Sequence, residues 1–280
     1  MPYSPLKDPS DPGEQAFRRG FDWSCRKHGL NYEHVIEAVY RRASRQWAPG
    51  FAIDGGAHKG LHTLPLASLE PIQHVVAVEP GEAALEVLRK RIQTNSAGPK
   101  IDVVVAALQD DPERATVTFQ VSTTHPGRSG INPILQQNKD TLYGAPVEVP
   151  ATTLDTLAEG RPGGCRFVKL DLEGGEYNAL RGGSRMLARD KPLMVFENGR
   201  HAPEIGGYSR EDFLRLLDGV GMVFVTAFGD IGTPENMRDH WYAWACGKAD
   251  ARRIRGMVRA EAGKVFKKRR QDMAAEGVPL

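Results

Sequence analysis

Apolar positions along the chain switch between helical and strand spacing, and the switches mark a strand–helix alternation. Tyr32, Val35, Ile36, Val39 and Tyr40 recur at helical spacing from Asn31 to about Trp47, where Ala48-Pro49-Gly50 ends the helix. Phe51-Ala52-Ile53 is a short apolar run closed by Asp54 and a glycine turn through Gly60. Leu61 to Leu69 reads as helix, with Pro65 tolerable only near its first turn. His74 to Glu79 is the second strand. Ala84, Leu85, Leu88 and Ile92 mark an amphipathic helix, and Ile101 to Ala106 is a third, buried strand. Ala115 to Ser122 alternates like part of a hairpin, Val147 to Val149 is extended, and Thr153-Leu154-Asp155 opens a short helix. Arg166 to Asp171 is the fourth parallel strand, followed by a helix bearing Tyr177, Leu180 and Leu187. Pro192 to Glu197, Met222 to Phe228 and His240 to Ala245 complete seven strands, with a helix over Glu211 to Leu217 between the first two of these. This order predicts a doubly wound α/β sheet whose last strand is antiparallel.

Composition and charge narrow the picture. A chain of 280 residues can bury one sizeable core with appendages. We expect an N-terminal arm and helix over 1–48, a central domain over 49–248, and a basic helical tail over 249–280. Residues 1 to about 30 are rich in Pro, Gly and charge and read as a loosely ordered arm. No apolar stretch reaches membrane-spanning length, and the first residues lack a signal peptide's apolar core. Cys25, Cys165 and Cys246 are scattered, which argues against a disulfide framework or a structural zinc site and for a reducing cytoplasmic setting. From Lys248 onward ten Lys/Arg face four acids, a surplus of six positive charges that leaves the remainder at −4 for a total of +2. A basic terminal helix is usually a solvated face, and no basic groove interleaved with aromatics accompanies it, so nucleic acid is not the expected partner. Because this tail lies outside the motif-bearing core, truncation after Lys248 is expected to leave ligand binding within about 1 kcal/mol.

Candidate chemistry gathers at the strand ends. Asp54, Gly56 and Gly60 give D-x-G-x-x-x-G instead of the dinucleotide pattern G-x-G-x-x-G, which argues against a nicotinamide oxidoreductase. The spacing suits a nucleoside carrying an amino-acid tail. Asp54, Glu79, Asp171 and Glu197 each end a strand, and in an open parallel sheet the ligand lies beyond those ends. Glu79, on the strand next to the glycine turn, is placed to accept hydrogen bonds from both ribose hydroxyls. Lys169, on a buried strand, reads as the partner of a neighbouring acid. Gln109 and Asp110 read as polar residues of a surface loop. Spacing alone does not show whether Asp171, Glu173 and Glu197 hold a cation, and no metal is expected.

Taken together, Asp54-x-Gly56-Ala57-x-x-Gly60, Val78-Glu79-Pro80, Thr153-Leu154-Asp155, Lys169-x-Asp171-x-Glu173-Gly174-x-Glu176 with Leu180, Gly182 and Gly183, and Phe196-Glu197 resemble the FkbM family of S-adenosylmethionine-dependent methyltransferases. The resemblance runs from Phe51 to Asn198, and its most specific piece is the Lys-x-Asp-x-Glu-Gly-x-Glu run. One departure from the general class I pattern is His58, in place of the middle glycine of G-x-G. The resemblance implies a class I, Rossmann-like doubly wound fold, S-adenosylmethionine as methyl donor, and O-methylation of a sugar, lipid or other small molecule. It implies that Asp54, Gly55, Gly56, Ala57, His58 and Gly60 meet the donor's methionine and ribose portions. Glu79 would hold the ribose, the segment Ala106 to Asp110, with Ala107 and Leu108 in it, would flank the adenine, and Asp171 would lie near the methionine end or the acceptor. For a hydroxyl acceptor the candidate bases are Asp171 and His201, with His58 behind them. The long polar segment Thr123 to Pro146 is expected to wall the acceptor. A non-catalytic donor-binding domain and a nucleic-acid methyltransferase using the tail stay as alternatives.

Overall fold

Strands that read as continuous apolar runs must be covered on both faces, and the central strand Gly50–Gly55 (β1) is buried along its whole length. A computed structural model describes residues 11–15, 17–18, 32–124, 129–131, 142–198, 206–239 and 242–275. Around β1 lie Ile72–Val78 (β2), Ile101–Val104 (β3), Cys165–Leu170 (β7), Leu193–Glu197 (β8), Met222–Val225 (β9) and Tyr242–Gly247 (β10). The seven-stranded sheet has the order β3-β2-β1-β7-β8-β10-β9, with β10 antiparallel to both of its neighbours. This is the predicted doubly wound sheet with an antiparallel last strand. The third strand is an edge strand, only half-buried and shorter than the run Ile101 to Ala106 suggested.

Register brings the chemistry to one edge. Asp54 lies beside Ala77 of β2 and Lys169 of β7, and Gly55 lies beside Val78 and Leu170. The ends of β1, β2 and β7 therefore open onto one space. Between β3 and β7 a second, three-stranded sheet forms from Ala107–Leu108 (β4), Val147–Thr152 (β6) and Thr116–Phe119 (β5), in that order. The predicted hairpin partner is thus real, but the strands belong to a separate small sheet that leans over the strand ends.

Helices cover both faces. On one face Tyr32–Ser44 (α1) and Ala251–Ala275 (α8) pack Tyr40, Ile36, Ile254 and Val258 against Ala52, Phe167, Val195 and Trp244 of the sheet. On the other, Leu154–Ala158 (α4), Glu176–Arg181 (α5), Ser184–Asp190 (α6) and Arg210–Gly219 (α7) cover Ile53, Val168, Met194 and Phe196. Thr63–Ala67 (α2) and Glu82–Gln93 (α3) follow the first two strands.

Three expectations change. The helix read across Tyr177 to Leu187 is two helices that break at Gly182 and Gly183, and a Cβ on Gly182 would lie 2.2 Å from the Gln109 carbonyl oxygen, so only glycine fits at this break. The described part of the N-terminal arm is helical at 12–15 and 17–18 and docked, not loose. Glu14 is buried, accepts from Arg18 at 2.8 Å and from Arg259 of α8 at 2.7 Å, and the Arg259 guanidinium lies 4.1 Å over the Phe17 ring. Nor is the C-terminal helix outside the core. Ala251, Ile254, Met257, Val258 and Ala262 are buried, largely against α1. Charge counting hid an apolar stripe at helical spacing. Among the described residues no helix is long and apolar enough to cross a membrane.

Candidate active site

Between β1 and α2 the chain makes a turn that only a residue without a side chain can complete. Gly56 has φ +72°, and a Cβ there would sit 2.0 Å from the carbonyl oxygen of Asp171. The N–H groups of Gly56 and Ala57 both donate to the Val78 carbonyl at 3.0 Å, tying the turn to the end of β2. Just beyond, the His58 N–H donates to Glu79 Oε2 at 2.8 Å and the Gly81 N–H donates to Oε1 at 2.7 Å. Glu79 is 7 % exposed. Burial pushes its carboxyl above the usual range, opposed by these two N–H bonds, which favour the ionised form.

From Glu79 a cleft, partly open to solvent, crosses the turn to the end of β7. Val78, Pro80, Ala106, Ala107, Leu108 and Phe119 line the Glu79 end with mostly apolar surface. Lys169, Asp171, His62 and Glu33 line the other end, and Ser129, Gly130 and Ile131 border it from the long polar segment.

Lys169 is the hinge of the second end. Its ammonium donates to the Gly56 carbonyl at 2.9 Å and lies 3.4 Å from Asp171 and 3.6 Å from Asp54. Burial alone would lower its pKa, but Asp171 and Asp54 hold it well above the ordinary lysine value. Burial likewise pushes Asp171 up, and Lys169 with the Tyr242 hydroxyl, which donates at 3.0 Å, brings it below the usual carboxylate range. Glu197 goes the other way, raised well above its ordinary value by burial and by Asp171 beside it. Of this neighbouring pair, Asp171 is the member biased toward the ionised form and Glu197 the one biased toward the protonated form. Asp171, Glu173 and Glu197 bring one oxygen each within 4.8 Å of one another. Glu176 closes the loop from below, buried and accepting the Leu172 N–H at 2.6 Å, and burial pushes its carboxyl up to about 7.

Among the residues expected from sequence, Gly56, Ala57, His58, Glu79, Ala107, Leu108 and Asp171 line this cleft. Asp54, Gly55 and Gly60 do not, and each has a packing reason. Asp54 is buried, accepting the Thr63 hydroxyl at 2.6 Å so that β1 is tied to α2. A Cβ on Gly55 would be 2.7 Å from Leu108, and one on Gly60 would be 2.7 Å from Leu88. Their contribution is the shape of the turn. Gln109 is not a surface residue either. It is buried, and its side chain accepts the Asp111 N–H at 2.6 Å, while Asp110 pairs with Arg181 at 3.0 Å. His201 lies outside the described residues. His58 borders the cleft half-buried, its pKa lowered by burial and by Lys59 and Lys169.

Sequence reading missed Glu33, His62 and Tyr242. Glu33 is a polar residue in the first turn of α1, and His62 caps α2, neither position standing out in the sequence. Tyr242 was visible only as part of a closing strand, yet it lies across the ladder from Glu197 and reaches Asp171.

Residues 54–231 match the family model described as the methyltransferase FkbM domain. The chain belongs to this family. By that membership the chain carries a methyltransferase FkbM domain, and its sheet has the doubly wound order with an antiparallel last strand that the motifs implied. Among solved structures, it is similar to a methyltransferase FkbM from Methylobacillus flagellatus KT at 17 % identity, over 70 % of this chain and 43 % of that one, with a TM-score of 0.42. The chain therefore spans less than half the length of that relative. It is also similar to a precorrin-6y C5,15-methyltransferase from Geobacter metallireducens GS-15 (14 % identity, 75 % and 85 % covered, TM-score 0.40). A third is a magnesium protoporphyrin IX methyltransferase from Synechocystis PCC 6803 with bound SAM (12 %, 88 % of each chain, 0.39). No curated protein matches the chain.

Proposed function

We propose that this FkbM-domain protein transfers the methyl group of S-adenosylmethionine to a hydroxyl on a small molecule or glycan. The observation that carries the donor assignment is Glu79. Each of its oxygens already accepts one backbone N–H and keeps a second lone pair, so a fixed, nearly buried carboxylate faces the cleft with capacity for a vicinal diol. The cradle made by Gly56, which no side chain could share, and the apolar wall of Ala106, Ala107 and Leu108 suit a nucleoside alongside it. The donor when bound supplies a methyl carbon already activated by its sulfonium. What remains for the protein is alignment and the handling of the acceptor's proton.

Asp171 is our choice for that second task. Held ionised by Lys169 and Tyr242, it is a weak base but a strong hydrogen-bond acceptor, which suits orienting a hydroxyl ahead of removing its proton. His201 is retained as the alternative base, and the acceptor is taken to be walled by the segment Thr123 to Pro146. The test is calorimetry with S-adenosylmethionine and its demethylated product. Glu79→Ala should weaken binding by about 1.5–3 kcal/mol, the scale of hydrogen bonds to a charged group. Unchanged affinity removes Glu79 from the site, and no binding by the wild type removes the donor. Incubation with labelled donor and hydroxylated metabolites should add the mass of one methyl group, and a product methylated on nitrogen or carbon defeats the hydroxyl assignment.

A further inference from the structure

We infer that Tyr242, the first residue of the antiparallel strand β10, is a positioning residue for methyl transfer, its hydroxyl fixing the Asp171 carboxylate in the orientation that receives the acceptor's hydroxyl. This rests on the reading of Asp171 given above.

Strand direction explains how Tyr242 comes to be there. The parallel strands β1, β2, β7 and β8 present their last residues to the cleft edge, whereas β10 runs the other way and presents its first. Tyr242 pairs with Glu197, the last residue of β8, and β8 lies between β10 and β7. The gap to Asp171, just past the end of β7, is therefore two strand spacings, roughly 9–10 Å. A phenol and a carboxylate reaching toward each other close it, and the Tyr242 hydroxyl donates to Asp171 Oδ2 at 3.0 Å. Strand β10 does not depend on this bond for its place, because Tyr242 to Ala245 pair with β8 and Trp244 to Gly247 pair with β9. The ring is held separately, its centroid 5.7 Å from that of Tyr32 on α1.

Asp171 needs such a partner. The terminal torsion of an aspartate is broad and nearly two-fold, so a neighbouring charge biases its ionisation without fixing its plane. Lys169 is a neighbour of that kind. Its ammonium lies 3.4 Å from Asp171 Oδ2, but it donates to the Gly56 carbonyl at 2.9 Å and is shared with Asp54 at 3.6 Å. The Tyr242 hydroxyl adds a directed bond to the same oxygen, and a bond to an ionised acceptor is among the stronger ones. Burial, with Asp171, Glu33 and Glu197 around it, pushes that hydroxyl far above the ordinary tyrosine range, so it stays a donor. Asp171 lines the cleft, and Tyr242 is not among the lining residues. Tyr242 therefore acts through Asp171 and not on a ligand.

The experiment uses Tyr242→Phe in the full chain, which keeps the ring and removes only the hydroxyl. With isotope-labelled aspartate, the Asp171 carboxyl signal is assigned by its absence in Asp171→Asn and followed by NMR as pH falls. Lys169, Glu173, Glu176, Glu197 and His58 around Asp171, and Glu33 near Tyr242, are common to both proteins, so the difference reports the hydroxyl. Removing a donor to the ionised form raises the pH at which the acid protonates, so Asp171 should begin to titrate at higher pH in Tyr242→Phe. Methyl incorporation from labelled donor into hydroxylated metabolites should fall about ten- to a hundredfold, the scale of one hydrogen bond to a charged group. Affinity for S-adenosylhomocysteine should stay within about twofold, which also serves as the control for folding. Superimposable titration curves, unchanged turnover, or a loss of S-adenosylhomocysteine affinity as large as the loss of turnover overturns the assignment. No methyl incorporation by the wild type, or full turnover in Asp171→Asn, defeats the reading of Asp171 itself, and this inference then falls with it even where the titration shifts.

Discussion

Truncation within the C-terminal helix separates two pictures of that segment. Ending the chain after Lys248 removes Ile254, Met257 and Val258, all buried, together with Ala251 and Ala262. Burial of one such large apolar side chain is worth about 1.5–3 kcal/mol, so the three account for roughly 5–9 kcal/mol. The loss also strips cover from the α1 residues Tyr32, Val35, Ile36 and Val39, which share their cluster. Whole domains hold about 5–15 kcal/mol of stability, so this chain should lose its cooperative transition or retain only a loosened core. Ending the chain after Lys267 instead keeps every buried residue that is described on α8 and should change stability by no more than about 0.5 kcal/mol. A milder variant, Ile254→Ala, should cost about 2–5 kcal/mol. Urea denaturation followed by circular dichroism and tryptophan fluorescence reads all three. If the chain ending at Lys248 unfolds cooperatively at the wild-type midpoint, the packing of α8 against α1 is not what closes this face.

Gly56→Ala should destabilise by about 1–3 kcal/mol and weaken donor-product binding, because the new Cβ meets the Asp171 carbonyl oxygen at a φ of +72°; urea midpoints and calorimetry read the two effects. Asp171→Asn should cut turnover by about 10²–10⁴ with much less change in donor affinity once an acceptor is known, and His201→Ala is assayed separately. Full activity in both would leave alignment as the only catalytic task. Burial pushes the Glu176 carboxyl up to about 7 from an ordinary 4.5, so the stability its protonated form contributes should be complete below about 4.5 and be lost as pH rises through 7. Glu176→Gln should therefore gain on the wild type in urea midpoint between pH 5 and pH 8, and a constant difference across that range would show that Glu176 does not titrate there.

The strand ends were legible because a parallel strand covered on both faces reads as an unbroken apolar run, and the first acid after it is conspicuous. That rule alone places Glu79 and Asp171 at one edge of the sheet. Asp54 looked the same in sequence, but it differs in depth, and depth is set by α2 folding Thr63 over it. Periodicity identified the buried face of α1 through Val35, Ile36, Val39 and Tyr40. It is silent about what a polar residue between those positions meets, and so Glu33 passed unnoticed. The small sheet of β4, β5 and β6 was illegible for another reason. Thr116 to Phe119 pairs with Val147 to Pro150 across a long polar segment, and no local signal specifies so distant a register. In the C-terminal helix Ala251, Ile254, Val258 and Ala262 stand at helical spacing and form the buried stripe, while its many basic residues give the segment the charge of a solvated tail.

Why the Lys-x-Asp-x-Glu-Gly-x-Glu run should be spelled as it is follows from one ammonium. Lys169 reaches from β7 to the carbonyl of Gly56, so it fixes the turn that borders the cleft. The same ammonium sits between Asp54 and Asp171 and keeps the latter ionised. Two residues on, Asp171 meets Gly56 across the strand boundary at a distance that no side chain could occupy. Glu173 then returns a carboxylate to Asp171 and Glu197, and its φ of +53° is possible because Glu176 secures the loop through the Leu172 N–H. Shape at the turn and charge at the β7 end of the cleft are therefore not independent properties of this site. A buried ammonium shared by two carboxylates cannot be removed without leaving them unpaired, and the cost of an unpaired buried charge is several kcal/mol. That cost would fall on the turn, the acid and the loop together, which is a physical reason for the residues of this run to occur as a unit.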